Sequence, residues 1–513
     1  MGEFENKKLI EYLKASKLGG GEKRIEKQRA KGKMTARERL EKLLDHGSFQ
    51  EIEPFVAQET TSREDIESFG NGVITGYGLI NGRKVFVYAQ DFTVMGGSLG
   101  EMQSHKICRV MDLAAQNGAP IVGLIDSGGA RIQEGVHSLK GYAEIFRRNT
   151  LYSGVVPQIS IILGPCAGGA AYSPALTDFI VMAEKSSYMF ITGPKVIKEI
   201  TGEEIDFENL GGSQVHSATS GVASLSAATE IEALKKCRKL FSYIPSNNTE
   251  NPPLGMTEDE PSRHDNTLNT IVPEDDKKPY RMHEVIQRVV DRDSFFELQP
   301  LFAPNAIIGF AKMGGRSVGI VGQEPSMIAG VIDINASDKI ARFVRFCDCF
   351  NVPLVTFVDS PGFLPGVNQE HKGIIRHGAK VLYAYSEATV PKVSVVIRRA
   401  FGGAYIVMSS KYLGTDITYA WPTAQIAVMG ARGAVNILHR REINQSDNPA
   451  ETRQHKIDTY KQNFLNPYKA AKAGIIDEVI IPSETRIKII NALTLISEKH
   501  VQNPAKKHGN SPV

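Results

Sequence analysis

Several patterns that define common enzyme classes are missing from this chain of 513 residues. Its five cysteines include no CxxC pair, which argues against a zinc ribbon and against a disulfide framework. There is no GxxxxGK[ST] phosphate loop and no HExxH zinc helix. Lysine and arginine together number 60 and acidic residues 57, so the charge balance gives no sign of a nucleic-acid-binding face. We therefore expect no metal site and no nucleic-acid partner.

One stretch of the chain, from Leu151 to Thr177, has no charged residue at all. It contains Pro157, Pro165 and Pro174, whereas a lipid-exposed span needs an uninterrupted helix to satisfy its backbone. The pattern therefore predicts a buried strand, a turn and a buried helix, with no membrane span. The first residues lack the apolar segment of a secretory signal, and unpaired cysteines suit a reducing compartment, so we expect a cytoplasmic location.

The two halves of the sequence repeat each other. DHGSFQEIEPF in the first half matches DRDSFFELQPL in the second, and GRKVFVYAQD from Gly82 matches GRSVGIVGQE from Gly315, 233 residues later. A register kept over a long stretch indicates gene duplication, so we predict two copies of one domain, residues 1–255 and 256–513. A polar, proline-containing stretch, residues 246–279, is predicted to connect them.

Short apolar runs in both halves predict the secondary structure. They are uninterrupted, as expected for strands buried on both faces of a sheet, and patterns of helical period such as 105–116 and 338–350 separate them. The alternation predicts an α/β fold with mostly parallel strands. Residues 22–45 read as a charged amphipathic helix or pair of helices, which we interpret as a solvated or subunit-packing arm. The apolar runs are 85–88, 121–125, 159–163, 318–321, 354–358 and 393–397.

Glycine-bearing turns follow the predicted buried strands in each half. The first half has DSGGAR (126–131) and GPCAGGAA (164–171), and the second has DSPGF (359–363) and RAFGGAY (399–405). A Gly-Gly-Ala segment at a strand-to-helix turn can present free N–H groups to a developing oxyanion. The alternative is that these glycines only permit tight turns and close packing. The Asp and Ser of DSGGAR and DSPGF are predicted to be structural, as caps of the following helix.

Longer segments of the sequence closely resemble the β-subunit family of propionyl-CoA and acetyl-CoA carboxylases. They are GGGEKRIEKQRAKGKMTARERLEKLLDHGSF, DSGGARIQEGV, GPCAGGAAYSPALTDF, ITGPKVIKEITGE, DSPGFLPG and RRAFGGAYIVMSSK. Relatives in this family include the transcarboxylase 12S subunit and the α subunit of methylmalonyl-CoA decarboxylase. The resemblance implies a tandem crotonase (ClpP/crotonase-like) fold, in agreement with the duplication.

The same resemblance implies the reaction. Carboxylate moves between carboxybiotin on a partner carrier and the α-carbon of a short-chain acyl-CoA, giving malonyl- or methylmalonyl-CoA through an enolate. The biotin ureido anion takes the α-proton, so the protein needs no catalytic carboxylate or histidine. The implied partners are biotin carboxylase and biotin carboxyl carrier subunits, the implied assembly is a hexamer built as a trimer of dimers, and the implied context is fatty acid metabolism.

Site residues follow from the matching motifs. The first domain is expected to hold the acyl-CoA and the second the biotin. Gly168 and Gly169 are expected to donate N–H groups to the thioester oxygen, and Gly403 and Ala404 to the biotin ureido oxygen. The substrate is expected to contact Gly129, Ala130, Arg131, Gly168, Gly169 and Ile406, and biotin Gly402, Gly403, Ala404, Gly362 and Phe363.

The sequence departs from a complete carboxylase in two ways. No Ala-Met-Lys-Met biotin-attachment sequence and no ATP-binding glycine loop is present, so biotin is expected on a separate subunit. Ile406 stands where propionyl-preferring relatives tend to carry Asp, which leaves acetyl-CoA, a broad range or a decarboxylase open; the alternative is that Ile406 is a core contact. A hypothesis of another class is a biotin-independent crotonase-type hydratase or lyase, with Glu134 as the nearest candidate base.

Overall fold

The computed structural model describes residues 2–57, 69–276 and 278–512. The chain divides into two compact units, Met1–Asn251 (unit 1) and Pro252–Val513 (unit 2). The division falls four residues before the expected one at 255. Within the described residues, no helix combines the length and the apolar character needed to cross a membrane.

In the described part of unit 1, the strands form one eight-stranded sheet in the order β1-β2-β3-β4-β5-β6-β8, with β7 pairing with β5. The pairs β1·β2 and β2·β3 are antiparallel, and the remaining pairs are parallel. The strands are β1 (Gln50–Ile52), β2 (Val73–Ile80), β3 (Arg83–Gln90), β4 (Ile121–Ser127), β5 (Gln158–Ala167), β6 (Phe179–Ala183), β7 (Tyr188–Phe190) and β8 (Leu225–Ala227).

Helices cover the sheet of unit 1. Every residue of β4 is buried, because helices flank a parallel sheet on both faces and an uninterrupted apolar run suits that position. The helices are α1 (Gly2–Lys17), α2 (Glu22–Ala30), α3 (Ala36–Leu43), α4 (Glu101–Gln116), α5 (Val136–Leu151), α6 (Gly169–Leu176), α7 (Pro194–Thr201), α8 (Phe207–Gly211), α9 (Ser213–Ala218) and α10 (Glu230–Phe241).

Unit 2 repeats this topology strand for strand. Its described sheet has the order β9-β10-β11-β12-β13-β14-β16, with β15 pairing with β13, and again only the first two pairs are antiparallel. The strands are β9 (Phe296–Leu298), β10 (Ala306–Met313), β11 (Arg316–Gln323), β12 (Leu354–Ser360), β13 (Lys392–Phe401), β14 (Ile417–Ala420), β15 (Gln425–Ala427) and β16 (Glu478–Val479).

The helices of unit 2 occupy matching positions, with a larger helical group after β15. They are α11 (Met282–Val289), α12 (Ile334–Cys349), α13 (Val367–His371), α14 (Ile374–Glu387), α15 (Gly402–Val407), α16 (Ala431–Leu438), α17 (Arg440–Gln445), α18 (Pro449–Phe464), α19 (Pro467–Lys472) and α20 (Thr485–Leu495). The duplication, the α/β class and the mostly parallel sheets predicted from the sequence are therefore confirmed.

Even the loop contacts are duplicated. In unit 1, Asp45 accepts backbone N–H groups at 81 and 82 and pairs with Arg238 at 2.7 Å. In unit 2, Asp291 accepts backbone N–H groups at 314 and 315 and pairs with Arg486, also at 2.7 Å. The carboxylate closes the turn of a hairpin in each copy, which explains why the DxxSF motif occurs twice.

Two peripheral segments differ in part from the expectation. The stretch after Pro252 is part of unit 2 and not a free linker, since Lys312 Nζ donates to Pro253 O at 2.8 Å and Leu268 lies in the core. The pair of helices expected in residues 22–45 is confirmed, but this arm is not wholly solvated. It forms α2 and α3, and Arg39 on α3 is fully buried.

Candidate active site: two glycine turns

The first turn of unit 1 lies where β5 ends and α6 begins. Gly168 has φ 59°, a left-handed conformation that disfavours side chains, and it reverses the chain so that α6 begins at Gly169. A Cβ placed on Gly169 would lie 3.0 Å from the ring of Tyr142 on α5. The predicted strand, turn and helix in the uncharged stretch are confirmed, and the backbone at Gly169 approaches the ring closely.

The free N–H groups at this turn lie one residue later than expected. The N–H of Gly168 points into the sheet and donates to Phe190 O at 3.0 Å, so it is already engaged. In the described part of the chain, the N–H groups of Gly169 and Ala170 have no acceptor, as is usual for the first residues of a helix. Gly169 is half-buried and Ala170 is buried behind it. The N–H groups left free at this turn are therefore those of Gly169 and Ala170, and which of them bind a substrate oxygen stays a prediction.

The second turn of unit 1 lies beside the first. Gly129 has φ 102°, and a Cβ placed on it would lie 2.8 Å from Ala167 O at the end of β5. Ser127 Oγ accepts the N–H of Gly129 at 3.2 Å, and Ala130 pairs with Leu99 in an isolated parallel bridge. Ser127 thus holds the turn itself and does not cap a helix. The structure brings Gly129 next to the end of the strand that leads into Gly168.

Arg131 is buried and hydrogen-bonded within the protein. It is 3% exposed, and its guanidinium donates to Asn71 Oδ1 at 2.9 Å, to Glu134 Oε1 at 2.8 Å and to Ser98 O at 3.1 Å. These acceptors hold the guanidinium so that it fixes the loop before the turn, and the expected contact between Arg131 and the substrate stays a prediction.

Unit 2 repeats the paired turns. β13 ends at Phe401, Gly402 has φ 56°, and α15 runs on from there. In the described part of the chain, the N–H groups of Gly403 and Ala404 have no acceptor. A Cβ placed on Gly403 would meet only the ring of Phe363, at 3.8 Å, so the approach to this turn is open. Gly403 is exposed, whereas Ala404 is 1% exposed.

The neighbouring turn of unit 2 carries Gly362 and Phe363. Ile332 donates its N–H to Gly362 O at 3.0 Å and forms with Phe363 the same isolated parallel bridge that Leu99 forms in unit 1. Gly362 has φ 149°, and Ser360 Oγ accepts its N–H at 3.4 Å. The structure therefore brings the residues that sequence analysis assigned to biotin together around one turn.

Ile406 follows this turn on α15 and is 49% exposed. The interpretation that it is a core contact is therefore wrong for unit 2 taken by itself. An exposed apolar side chain two residues after Ala404 can contact a ligand that occupies the turn.

Two buried carboxylates lie directly behind the turns. Asp126 at the end of β4 is fully buried and accepts from Lys33 and Arg39, both at 2.8 Å. Asp359 at the end of β12 is also fully buried and accepts from Arg399 at 2.8 Å. Both carboxylates are structural, as predicted, but the expected capping is wrong, since both form buried ion pairs.

Two buried lysines fix the segments behind the turns, a role that sequence analysis missed. Lys106 on α4 donates to Val73 O at 2.7 Å, and Lys339 on α12 donates to Ala306 O at 2.7 Å and to Phe302 O at 2.8 Å. Burial lowers the pKa of Lys339 to about 7. Lys106 and Lys339 occupy equivalent positions in the two copies, and this equivalence could have drawn attention to them. The sequence pattern alone, however, does not distinguish a buried lysine from an exposed one.

Side chains that could serve a biotin-independent mechanism are engaged elsewhere. Glu134 pairs with Arg131, and its other oxygen accepts the N–H of Glu101 at 2.6 Å, so it caps α4. Ser98 has the Gly-x-Ser-x-Gly spacing of a nucleophile elbow, but its Oγ donates to Met95 O at 2.8 Å after a 3₁₀ turn and not after a strand. Among the described residues, the site offers backbone donors and open turns, and no side chain poised as a base.

Comparisons with known proteins agree with this geometry. The family model described as the carboxyl transferase domain matches residues 27–511. The chain is 56% identical over 507 residues to the propionyl-CoA carboxylase, carboxyltransferase subunit of Haloferax mediterranei, with 98% of each chain covered. It is 54% identical over 507 residues to the methylmalonyl-CoA decarboxylase subunit alpha of Veillonella parvula, again with 98% of each covered.

A solved structure of transcarboxylase 12S, a hexamer with methylmalonyl-CoA bound, has a TM-score of 0.97 and 51% identity. It covers 100% of this chain and 99% of that chain. Two tandem crotonase-like units with duplicated glycine turns define an enzyme of CoA-thioester chemistry. The chain belongs to the carboxyltransferase family of biotin-dependent acyl-CoA carboxylases. The predicted family, tandem fold and carboxyltransferase activity are confirmed, and with them biotin on a separate subunit and a CoA thioester as substrate.

Proposed function

We propose that this chain carboxylates propionyl-CoA to methylmalonyl-CoA, using carboxybiotin delivered by a biotin carboxyl carrier subunit. Support for this substrate pair comes from relatives named for propionyl-CoA and for methylmalonyl-CoA at 54–56% identity. The apolar, exposed Ile406 offers no hydrogen bond that would discriminate between propionyl-CoA and acetyl-CoA, so it excludes neither substrate.

In this proposal, unit 1 holds the thioester. The N–H groups of Gly169 and Ala170 donate hydrogen bonds to the thioester oxygen and stabilise the negative charge that develops on it in the enolate. Gly168 sets the chain reversal that aims them, and Gly129 leaves room beside β5 for the ligand. Backbone dipoles that are fixed before the reaction need no reorganisation as the charge appears.

Unit 2 holds biotin. Gly403 and Ala404 donate to the ureido oxygen, Gly402 makes the turn, and Gly362 and Phe363 form one side of the pocket. The residues fit this group, because a Cβ would occupy the open approach at Gly403. Carboxybiotin supplies the carboxyl group and, through its ureido nitrogen, the base, which accounts for a site without a poised carboxylate or histidine.

The same half-reaction run in the opposite direction is the second candidate. The identity to the decarboxylase subunit alpha, 54%, nearly equals the 56% to the carboxylase subunit, so sequence similarity favours neither direction. The direction is set by the partner: a biotin carboxylase subunit in one case and a membrane-bound subunit that releases CO2 in the other.

Assembly and location belong to the same proposal. We infer a homohexamer arranged as a trimer of dimers in the cytoplasm, acting in fatty acid metabolism. Each unit exposes large apolar side chains that subunit contacts would cover, among them Ile132 (89% exposed) and Ile200 (76%) in unit 1 and Val428 (80%) in unit 2. The cysteines, four of them buried and Cys349 exposed, suit a reducing compartment.

The experiment that tests the proposal uses the purified chain alone. We expect slow release of CO2 from methylmalonyl-CoA that depends on added free biotin, together with a polypeptide mass that shows no covalent biotin. Dethiobiotin, which lacks the sulfur but keeps the ureido ring, is a matched competitor. Release of CO2 at the same rate without biotin would contradict the proposal and favour the hypothesis of a biotin-independent lyase. Covalent biotin on the polypeptide would contradict the need for a separate carrier subunit.

A further inference from the structure

A pocket of about 390 Å³ lies in the helical group of unit 2, apart from the glycine turns. α16 provides two of its side chains one helical turn apart, α17 provides three more, and α18 closes it with one. No carboxylate is found among the described residues that line it. The lining residues are Arg432, Asn436, Arg440, Ile443, Asn444 and Arg453.

The three arginines of this pocket lack counter-charges. Within the described part of the chain, none of them forms an ion pair, and Arg453 Nε is buried with no hydrogen-bond partner. The nearest acid on α17, Glu442, is already engaged by Lys456 at 2.6 Å and by His439 at 3.1 Å. Three guanidinium groups that share one concavity repel one another unless an anion sits between them.

The pocket rests on a packed base. Ile443 at its floor is 2% exposed, and α16 begins at Ala431, which packs with Phe401 and Leu465 in a small core. Phe401 is the residue before Gly402, so the pocket belongs to the same packed layer as the turn that ends β13. Its donors are therefore carried by helices with a fixed support.

We propose that this pocket binds a phosphate group. Guanidinium groups bind phosphate oxygens with two parallel N–H donors each, and the amides of Asn436 and Asn444 add further donors. Two sources share this chemistry: inorganic phosphate, and a phosphate of CoA. The binding chemistry depends on the pocket alone, and only the CoA source rests on the proposed function.

The test measures the rate at which phenylglyoxal modifies each arginine in the full-length chain, read by peptide mass spectrometry. Arg441 is the internal control, because it neighbours Arg440 on the same helix, is exposed, and does not line the pocket. Sodium phosphate is compared with sodium chloride at equal ionic strength, so that screening alone cannot give protection. CoA and dephospho-CoA, which lacks the 3′-phosphate, are compared in separate arms.

We expect phosphate at ten times its dissociation constant to slow modification of Arg432, Arg440 and Arg453 about tenfold, while Arg441 is unaffected. The double variant Arg432→Gln, Arg440→Gln should lose phosphate binding in calorimetry, and Arg441→Gln should keep it. Equal modification in phosphate and chloride, or binding retained by the double variant, would overturn the proposal. Protection by CoA at lower concentration than by phosphate assigns the source to the substrate, and protection by phosphate alone assigns it to the free ion; neither result depends on biotin-supported activity.

Discussion

At the residue scale, Ile406 on α15 is the side chain from which we predict how well the enzyme discriminates between acyl-CoA substrates. Ile406 lies two residues after Ala404 and is half exposed, and in the proposed function its side chain offers dispersion contacts but no hydrogen bond. An apolar contact separates substrates that differ by one methylene by only about 1–3 kcal/mol, or roughly 10–200-fold. We therefore expect modest discrimination between acetyl-CoA and propionyl-CoA.

Ile406→Asp should change the ratio of kcat/KM for propionyl-CoA over acetyl-CoA, in favour of propionyl-CoA, without abolishing turnover. The ratio is measured with the same carboxybiotin donor in both proteins. Ile481→Asp is the control, because Ile481 is similarly exposed (54%) and lies before α20, outside the turns. An unchanged ratio in Ile406→Asp would place the specificity elsewhere.

The buried ion pair between Arg131 and Glu134 leads to a prediction about the stability of the protein. Removing Arg131 leaves Glu134, itself 7% exposed, as a buried carboxylate without its partner. Breaking a buried ion pair from one side typically costs about 3–5 kcal/mol. Arg131→Met should lower the free energy of unfolding by that order in a denaturant titration, whereas Arg147→Met on an exposed face should not. A large rise in the KM for acyl-CoA with unchanged stability would show instead that Arg131 binds the substrate.

At the scale of secondary-structure elements, His283 joins α11 to β9 and to the end of β11. Its ring nitrogens lie 2.8 Å from Glu324 Oε2 and 3.0 Å from Glu297 Oε1, and Arg281 lies 3.9 Å from Glu324. Burial opposes the charge of the imidazolium, but the hydrogen bonds to the two carboxylates outweigh it and raise the pKa of His283 to about 9.

The contacts of His283 with Glu297 and Glu324 predict that the stability of the protein depends on pH. A folded-state pKa above the unfolded value of about 6.5 contributes stability that is complete below that value and is lost as the pH rises through about 9. The free energy of unfolding should therefore fall by about 3 kcal/mol between pH 6.5 and pH 9.5 from this group. His283→Gln should remove that part of the slope, and His439→Gln, in an exposed pair, should not. If the free energy of unfolding has the same slope against pH in wild type and in His283→Gln, the predicted contribution of His283 is contradicted.

Much of the element scale is predictable from the sequence because it depends on local patterns. The apolar runs of both halves fall within β3, β4, β5, β11, β12 and β13, since a parallel strand covered on both faces needs side chains that are apolar throughout. The charged arm is not predictable in this way. Its sequence reads as solvated, and only the tertiary fold places Arg39 against Asp126, 87 residues later.

The glycine turns divide in the same way. The left-handed glycines of both turns can be expected from the Gly-Gly-Ala motif, because only glycine adopts that backbone without strain. Which N–H groups remain free cannot be predicted from the sequence, because the carbonyl oxygen of Phe190 on β7 accepts the N–H of Gly168 only in the folded chain. The position of the Tyr142 ring beside Gly169 is also not predictable from the sequence. Burial raises the pKa of the Tyr142 hydroxyl.

At the scale of the whole molecule, duplication explains the chemistry. One ancestral unit with an open strand-to-helix turn could stabilise one oxyanion, and two tandem copies provide two turns for two substrates. The copies have since diverged around the same backbone. The carboxylate behind the turn is neutralised by the arm residue Arg39 in unit 1 and by Arg399, at the end of the neighbouring strand, in unit 2.

The most direct measurement is the rate of biotin-supported decarboxylation of methylmalonyl-CoA by Gly169→Val and Gly403→Val. The account predicts that each variant alone loses about 10²–10³ in rate, because each removes access to one oxyanion donor. Gly403→Val is the cleaner of the two, since its Cβ would meet only the Phe363 ring at 3.8 Å and the fold should persist, and Gly433→Val on α16 is the matched control. A folded Gly403→Val protein that turns over at the wild-type rate would contradict the assignment of the two turns.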